Sequence, residues 1–146
     1  MWNLIINIYL LTGAYQDGTR GKIKNWYLWF GVILNLPCML NKIYILKEEI
    51  IFIHIILNLL PGLTLLFLSK INNENIGNGD GWMLLVIGNY FIKTDIWYIF
   101  IFSFFLLSIF SMGLLFVKKV TKTTKIPYIP FLWLSHSFFW GTKYVL

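Results

Sequence analysis

Ile96-Trp97-Tyr98-Ile99-Phe100-Ile101-Phe102-Ser103-Phe104-Phe105-Leu106-Leu107-Ser108-Ile109-Phe110-Ser111-Met112-Gly113-Leu114-Leu115-Phe116-Val117 contains no charged residue. A helix of about 20 apolar residues crosses a hydrocarbon core about 30 Å thick, and this run meets that length. Five further apolar segments lie outward from it, at residues 2–15, 26–40, 50–69, 82–92 and 127–145. The first is short, so its helix is expected to continue through Gln16 and Asp17; the fourth is short as well. Trp26, Tyr27 and Trp29 have the character of interfacial aromatics. Pro37 predicts a kink or stop near the end of the second segment. Pro61-Gly62 predicts a kink in the third. Lys93-Thr94-Asp95 reads as a tight turn before the fifth. The expected fold is all-α and integral to the membrane, a bundle of six transmembrane helices forming one domain over residues 1–146.

Composition points the same way. The chain is 58% hydrophobic and 12% charged, against about 25% charged in an average soluble domain. Six spans leave no length for a separate soluble domain. A formal charge of +6 is then a topology signal, and no nucleic-acid partner is expected. Cys38 is the single cysteine, which excludes an internal disulfide and a Cys-rich metal site. Residues 1–14 lack a basic leader region and read as a retained first span.

The basic residues are unevenly shared among the loops. Loops one, three and five hold Arg20, Lys22, Lys24, Lys70, Lys118, Lys119, Lys122 and Lys125, eight of the twelve. The opposite loops and the C-terminal end hold Lys42, Lys47, Lys93 and Lys143. The positive-inside rule therefore predicts a multi-pass protein of the plasma membrane with both termini extracytoplasmic. Asp17 and Asp80 then share the cytoplasmic face. Glu48, Glu49, Glu74 and Asp95 fall in loops and read as solvated.

Ile76-Gly77-Asn78-Gly79-Asp80-Gly81 carries the chemistry. A carboxylate at the edge of a hydrocarbon span is costly and needs a reason to be there. The flanking glycines permit close approach of another backbone, so an extended peptide can reach the acid. The simpler alternative is a Gly/Asn/Asp turn with Asp as helix cap. Asp17, in Tyr15-Gln16-Asp17-Gly18-Thr19-Arg20, has its own simple reading as a loop acid beside basic residues. Taken as a pair, the two acids have distinct chemistry. Like charges a few ångströms apart do not both ionise, so one carboxyl keeps a proton. The ionised one deprotonates water and the protonated one donates to a peptide carbonyl, hydrolysing an amide without metal or cofactor.

These residues resemble a known family. Gly77-Asn78-Gly79-Asp80 matches the Gly-x-Gly-Asp motif of intramembrane aspartyl proteases, and the likeness narrows to the type IV prepilin peptidases. That family places its first catalytic Asp at the end of the first span, ahead of Ile-Pro-Asn. Here Asp17 precedes Ile23-Lys24-Asn25. It often opens its last span with Pro-x-x-Pro-Phe, which Pro127-Tyr128-Ile129-Pro130-Phe131 fits. The three elements run in order from Ala14 to Leu132.

The resemblance implies an aspartic endopeptidase that removes a short basic leader from pilin-like precursors at the cytoplasmic face. Asp17 and Asp80 would be catalytic. Gly77, Gly79, Asn25, Pro127 and Pro130 would shape the site or hold substrate. The family usually has Lys where Trp82 stands and Pro where Lys24 stands, which leaves an inactive member open. Larger members add a cytoplasmic insertion with Cys-x-x-Cys pairs that is associated with N-methylation. The first loop here is short and lacks cysteine, so no S-adenosylmethionine site is expected. Presenilin-like relatives have a longer chain and a different proline motif.

Other classes fit less well. His54 and His136 make at most half a metal site, so no metal is expected and packing or interhelical hydrogen bonding explains them. Asn35 and Asn58 read as interhelical hydrogen bonders. The Phe-rich run 100–110 reads as a packing or lipid-facing surface. Gly77 to Gly81 lacks the Gly-Lys-Ser/Thr of a phosphate loop. Two alternatives remain: an inactive homologue acting as a membrane assembly or binding protein, and a small ion-coupled transporter using Asp17 and Asp80.

Overall fold

The computed structural model describes residues 2–45, 48–71, 77–91, 95–117 and 126–145, with side chains over 3–40, 53–71, 77–91, 95–117 and 126–143. The side chains of Lys42, Lys47, Glu48, Glu49, Glu74, Ile76, Lys93, Thr94, Lys118, Lys119, Lys122 and Lys125 lie outside the described residues. Among the described residues the chain is all-helical: α1 (Trp2–Arg20), α2 (Asn25–Ile45), α3 (Glu48–Ile71), α4 (Asn78–Gly88), α5 (Asp95–Phe116) and α6 (Ile129–Val145). Two compact units form. One holds Asn3–Gly21 with Ile99–Leu146, the other Lys22–Tyr98.

Among the described residues two helices are long and apolar enough to cross a membrane, Ile53–Ile71 within α3 and α5. α5 is not a soluble core helix, because its apolar side chains are largely open. Ile101 is 62% exposed, Phe105 58% and Phe116 79%. An apolar surface of that extent on a helix of 22 residues suits hydrocarbon rather than water. Asp95 begins α5 instead of ending a loop, an acid placed favourably at a helix amino end.

Within the unit built from α1, α5 and α6, the phenylalanines of α5 pack on α6. Phe102 stacks on Phe138 at 5.3 Å and Phe110 lies 5.2 Å from Phe131, so the two helices run antiparallel. Asn7 joins α1 to α6, its Oδ1 accepting from Trp133 Nε1 at 2.6 Å and Ser137 Oγ at 3.2 Å. His136 is buried in this unit beside Trp140.

The second unit is organised by glycines. A Cβ added at Gly81 would meet Leu66 Cγ at 2.7 Å, and one at Gly62 would meet the Leu85 backbone nitrogen at 2.7 Å. One added at Gly88 would collide with the Asn58 carbonyl oxygen. α3 and α4 therefore approach at backbone distance, the small-residue packing by which helices associate in lipid.

α4 has 11 residues, about 16 Å at 1.5 Å per residue. That is too short to cross a bilayer. Its carboxyl end sits among buried side chains, and the Val86 carbonyl within it and the Phe91 carbonyl just beyond it find partners in asparagines of α2 and α3. Asn35 Nδ2 donates to Val86 O at 2.6 Å, and Asn58 Nδ2 donates to Phe91 O at 2.7 Å. Asn35 thus makes the interhelical bond its position led us to expect, while Asn58 holds the segment just beyond the end of α4.

Neither proline ends its helix. α2 continues past Pro37 to Ile45, and α3 continues past Pro61 to Ile71. Proline has no N–H, so Pro61 leaves the carbonyl four residues earlier, at Leu57, without its helical donor. Trp97 Nε1 supplies one at 3.1 Å. Trp97→Phe keeps most of the ring and removes this donor, so it should lower stability by about 1 kcal/mol. Reversible unfolding in detergent checks this; an unchanged midpoint would mean the Leu57 carbonyl is satisfied some other way.

Candidate functional site

Asp17 lies near the carboxyl end of α1, two residues beyond the apolar run 2–15. The helix does continue through it, to Arg20. Gly21 then turns the chain in the left-handed region at φ 60°, with its N–H donating to Asp17 O at 2.8 Å. Glycine adopts this conformation without steric cost, which makes it the common helix terminator.

The Asp17 side chain is buried, 7% exposed. Its Oδ2 accepts from Ile129 N at 3.1 Å, and the backbone of Tyr128 also donates to the carboxyl. The reason lies in how α6 begins. The first N–H groups of a helix have no partner inside it. Pro130 removes one of them, and the Phe131 N–H turns back to Tyr128 O at 3.0 Å. The Ile129 N–H is left over, and Asp17 takes it. A carboxylate on a helix amino end also meets the positive end of the helix dipole. Burial raises the Asp17 carboxyl above its ordinary value, and the Ile129 and Tyr128 backbone donors oppose that rise.

Tyr128 is itself fixed. It is buried, and its hydroxyl pairs with Ser103 Oγ at 2.7 Å while its ring lies 5.2 Å from Phe104. Ser103 thus anchors the turn that presents backbone donors to Asp17. Sequence reasoning missed Ser103, because one serine inside a phenylalanine run carries no periodic signal. Pro127 is half-buried just before this turn and Pro130 half-buried in the first turn of α6.

The second unit holds Asp80, Gly77, Gly79 and Asn25. Only Gly77 is extended, at φ −63° and ψ 121°, and it caps α4 without a side-chain cap bond. Asn78, Gly79, Asp80 and Gly81 are already helical. The cap is therefore Gly77 rather than Asp80, and the turn expected over these residues is already the first turn of α4. Asp80 occupies the first turn, with its N–H on Gly77 O at 3.0 Å. Its carboxyl folds back over the cap, so that a Cβ on Gly77 would lie 3.1 Å from Asp80 Oδ2. Two forces favour helix here over the local turn preference: the close fit of Gly81 on Leu66, and an acid in the first turn. Asn78 Oδ1 accepts from Ser69 Oγ at 2.9 Å, tying the start of α4 to the end of α3.

Gly79 packs against Ile23, whose Cδ1 would lie 3.4 Å from an added Cβ. Asn25 opens α2 and is exposed, as is Trp82. Asp80 is partly exposed, in contrast to Asp17. The site residues thus meet in two groups. Asp17 joins the Pro127–Phe131 element in one unit, and the Gly-x-Gly-Asp turn joins the Ile23-Lys24-Asn25 segment in the other. Among the described residues no group of three or more His, Cys, Asp or Glu side chains can hold a metal ion.

Compared with protein-family models, with curated proteins and with solved structures, the chain matches none of them.

Proposed function

We propose that the chain is a multi-pass membrane aspartyl endopeptidase of the type IV prepilin peptidase kind. It would cut the basic leader from a pilin-like precursor at the cytoplasmic face of the plasma membrane, with Asp17 and Asp80 as catalytic carboxyls. The observation that supports this best is the bond from Ile129 N to Asp17 Oδ2. It joins two of the three resemblance elements across 112 positions of sequence. The contact of Ile23 with Gly79 does the same for the other pairing.

In this mechanism the buried Asp17, raised by desolvation, is the protonated partner and donates to the scissile carbonyl oxygen. Asp80, the more exposed of the two, takes a proton from the attacking water. As the tetrahedral intermediate collapses and its C–N bond breaks, that proton passes to the leaving amine and the proton on the former carbonyl oxygen returns to Asp17. Neither a metal nor a covalent enzyme intermediate enters the scheme.

A second reading, an inactive homologue that binds or assembles pilin-like proteins, is favoured by one observation. Each carboxyl already has a structural task, Asp17 on the amino end of α6 and Asp80 over the cap of α4. Co-expression with pilin-like precursors, followed by amino-terminal sequencing, separates the two. The peptidase yields a new amino terminus just before the precursor's hydrophobic helix. A precursor recovered whole beside well-expressed protein leaves the binding role in front.

A further inference from the structure

The unit built from α1, α5 and α6 has a groove whose lining does not include Asp17. It has a volume of about 510 Å³ and is lined by Leu4, Asn7, Ile8 and Leu11 of α1 and by Trp140 and Gly141 of α6, among others. Leu4 is 13 residues from Asp17 on the same helix, about 20 Å along its axis. The volume falls within the range of small-ligand sites.

Three features define the ligand. Leu4, Ile8 and Leu11 recur at helical spacing and are 64%, 53% and 47% exposed, forming an open apolar wall about two turns long. Asn7 has both Oδ1 acceptor positions used, by Trp133 and Ser137, so its side-chain amide offers a ligand only N–H donors. Lys143 Nζ lies 5.0 Å from the ring centre of Trp140, which lines the groove, and 5.6 Å from that of Phe139. Among the described residues no Asp or Glu lines the groove. A matching molecule has an apolar chain, acceptor oxygens near its head, and a negative charge.

We propose that this groove binds one anionic phospholipid. An acyl chain lies along Leu4, Ile8 and Leu11, ester or phosphate oxygens accept from the Asn7 amide, and Lys143 meets the charge of the head group. The site rests on α1 and α6 being embedded in the bilayer and is independent of the peptidase reading.

Native mass spectrometry of the full chain in uncharged detergent tests this, with equal amounts of phosphatidylglycerol and phosphatidylcholine added. One retained phosphatidylglycerol is expected. A Cβ at Gly141 meets nothing within 4 Å, so Gly141→Phe fills the groove without disturbing the helix and should abolish retention. Lys143→Gln should cut the preference for phosphatidylglycerol about fivefold, as expected for one surface cation. Circular dichroism confirms that each variant is folded. Equal retention of the two lipids, no retention of either, or full retention by folded Gly141→Phe would each overturn the site. Because no cleavage is measured, a failed lipid site leaves the peptidase reading standing, and the converse also holds.

Discussion

Asp17→Asn is expected to abolish precursor cleavage, by about 10⁴-fold or more on the scale of catalytic groups acting as a unit, while the protein remains folded and inserted. Asparagine keeps an oxygen to accept the Ile129 N–H, so α6 retains its cap. It can neither release nor take up the proton that hydrolysis requires. Asp17→Ala removes that acceptor too and should also lose about 1 kcal/mol of stability, the usual value of a helix cap. Asp80→Asn should be as inactive as Asp17→Asn, and the double variant no worse than either. Asp95→Asn, at the start of α5, should cleave normally. A precursor-processing assay with matched expression checks the series, and retained cleavage in Asp17→Asn or Asp80→Asn would rule out the dyad.

The same variant carries a pH signature. Burial raises the Asp17 carboxyl in the folded protein above its ordinary value of 3.8. The native state therefore holds its proton to higher pH than the unfolded chain does. The contribution to stability is fully present below the ordinary carboxylate value. It is lost as pH rises through the raised native value, where the buried charge begins to cost free energy. Asp17→Asn carries no charge, so its stability should fall less across that window than that of the native chain. Unfolding midpoints measured from acid to neutral pH provide the comparison; parallel curves would mean that Asp17 titrates as it does in the unfolded chain.

The second large effect is on stability. Gly88→Ala places a methyl group on the Asn58 carbonyl oxygen. Backbone cannot yield as a flexible side-chain tip does, so α3 and α4 must separate, costing about 3 kcal/mol. The Asn58 bond to Phe91 O is strained by the same separation. Gly113→Ala is the control, since its Cβ meets nothing within 4 Å. There the better helix propensity of alanine should stabilise by up to about 1 kcal/mol. Unfolding in mixed detergent micelles reads both, and a Gly88→Ala protein as stable as Gly113→Ala would disprove the close helix crossing.

The helices were legible where apolar runs are long. The charge-free run at 96–117 and the apolar run at 50–69 both became helices that carry their prolines or polar residues without breaking. The continuation of α1 through Asp17 followed from the shortness of its apolar part. The start of α4 was not legible in the same way. Asn78, Gly79, Asp80 and Gly81 are turn-forming residues, and the fit of Gly81 on Leu66, the acid in the first turn and the Ser69–Asn78 bond draw them into the helix. What supports α3 at Pro61 was hidden for a related reason: the donor comes from Trp97, 40 positions away in sequence.

The candidate site was legible as residue types and spacing, and less so as local chemistry. Asp17 and the Pro127–Phe131 element were read separately in the sequence, and in the fold the Asp17 carboxyl accepts from Ile129 N. That Asp17 is an interhelix cap was hidden, because the unsatisfied N–H arises only once Pro130 opens α6. Gly77 and Gly79 read as space for substrate. Among the neighbouring glycines, Gly81 and Gly88 instead hold α4 against α3.

The most direct test uses purified full-length protein in lipid vesicles, a pilin-like precursor with a basic leader, and a metal chelator throughout. The product is read by intact mass and amino-terminal sequencing. One cut immediately before the hydrophobic helix, undiminished by chelator and absent with Asp80→Asn, is the predicted result. A precursor that stays whole, or a cut that persists with Asp80→Asn, would contradict an aspartyl peptidase.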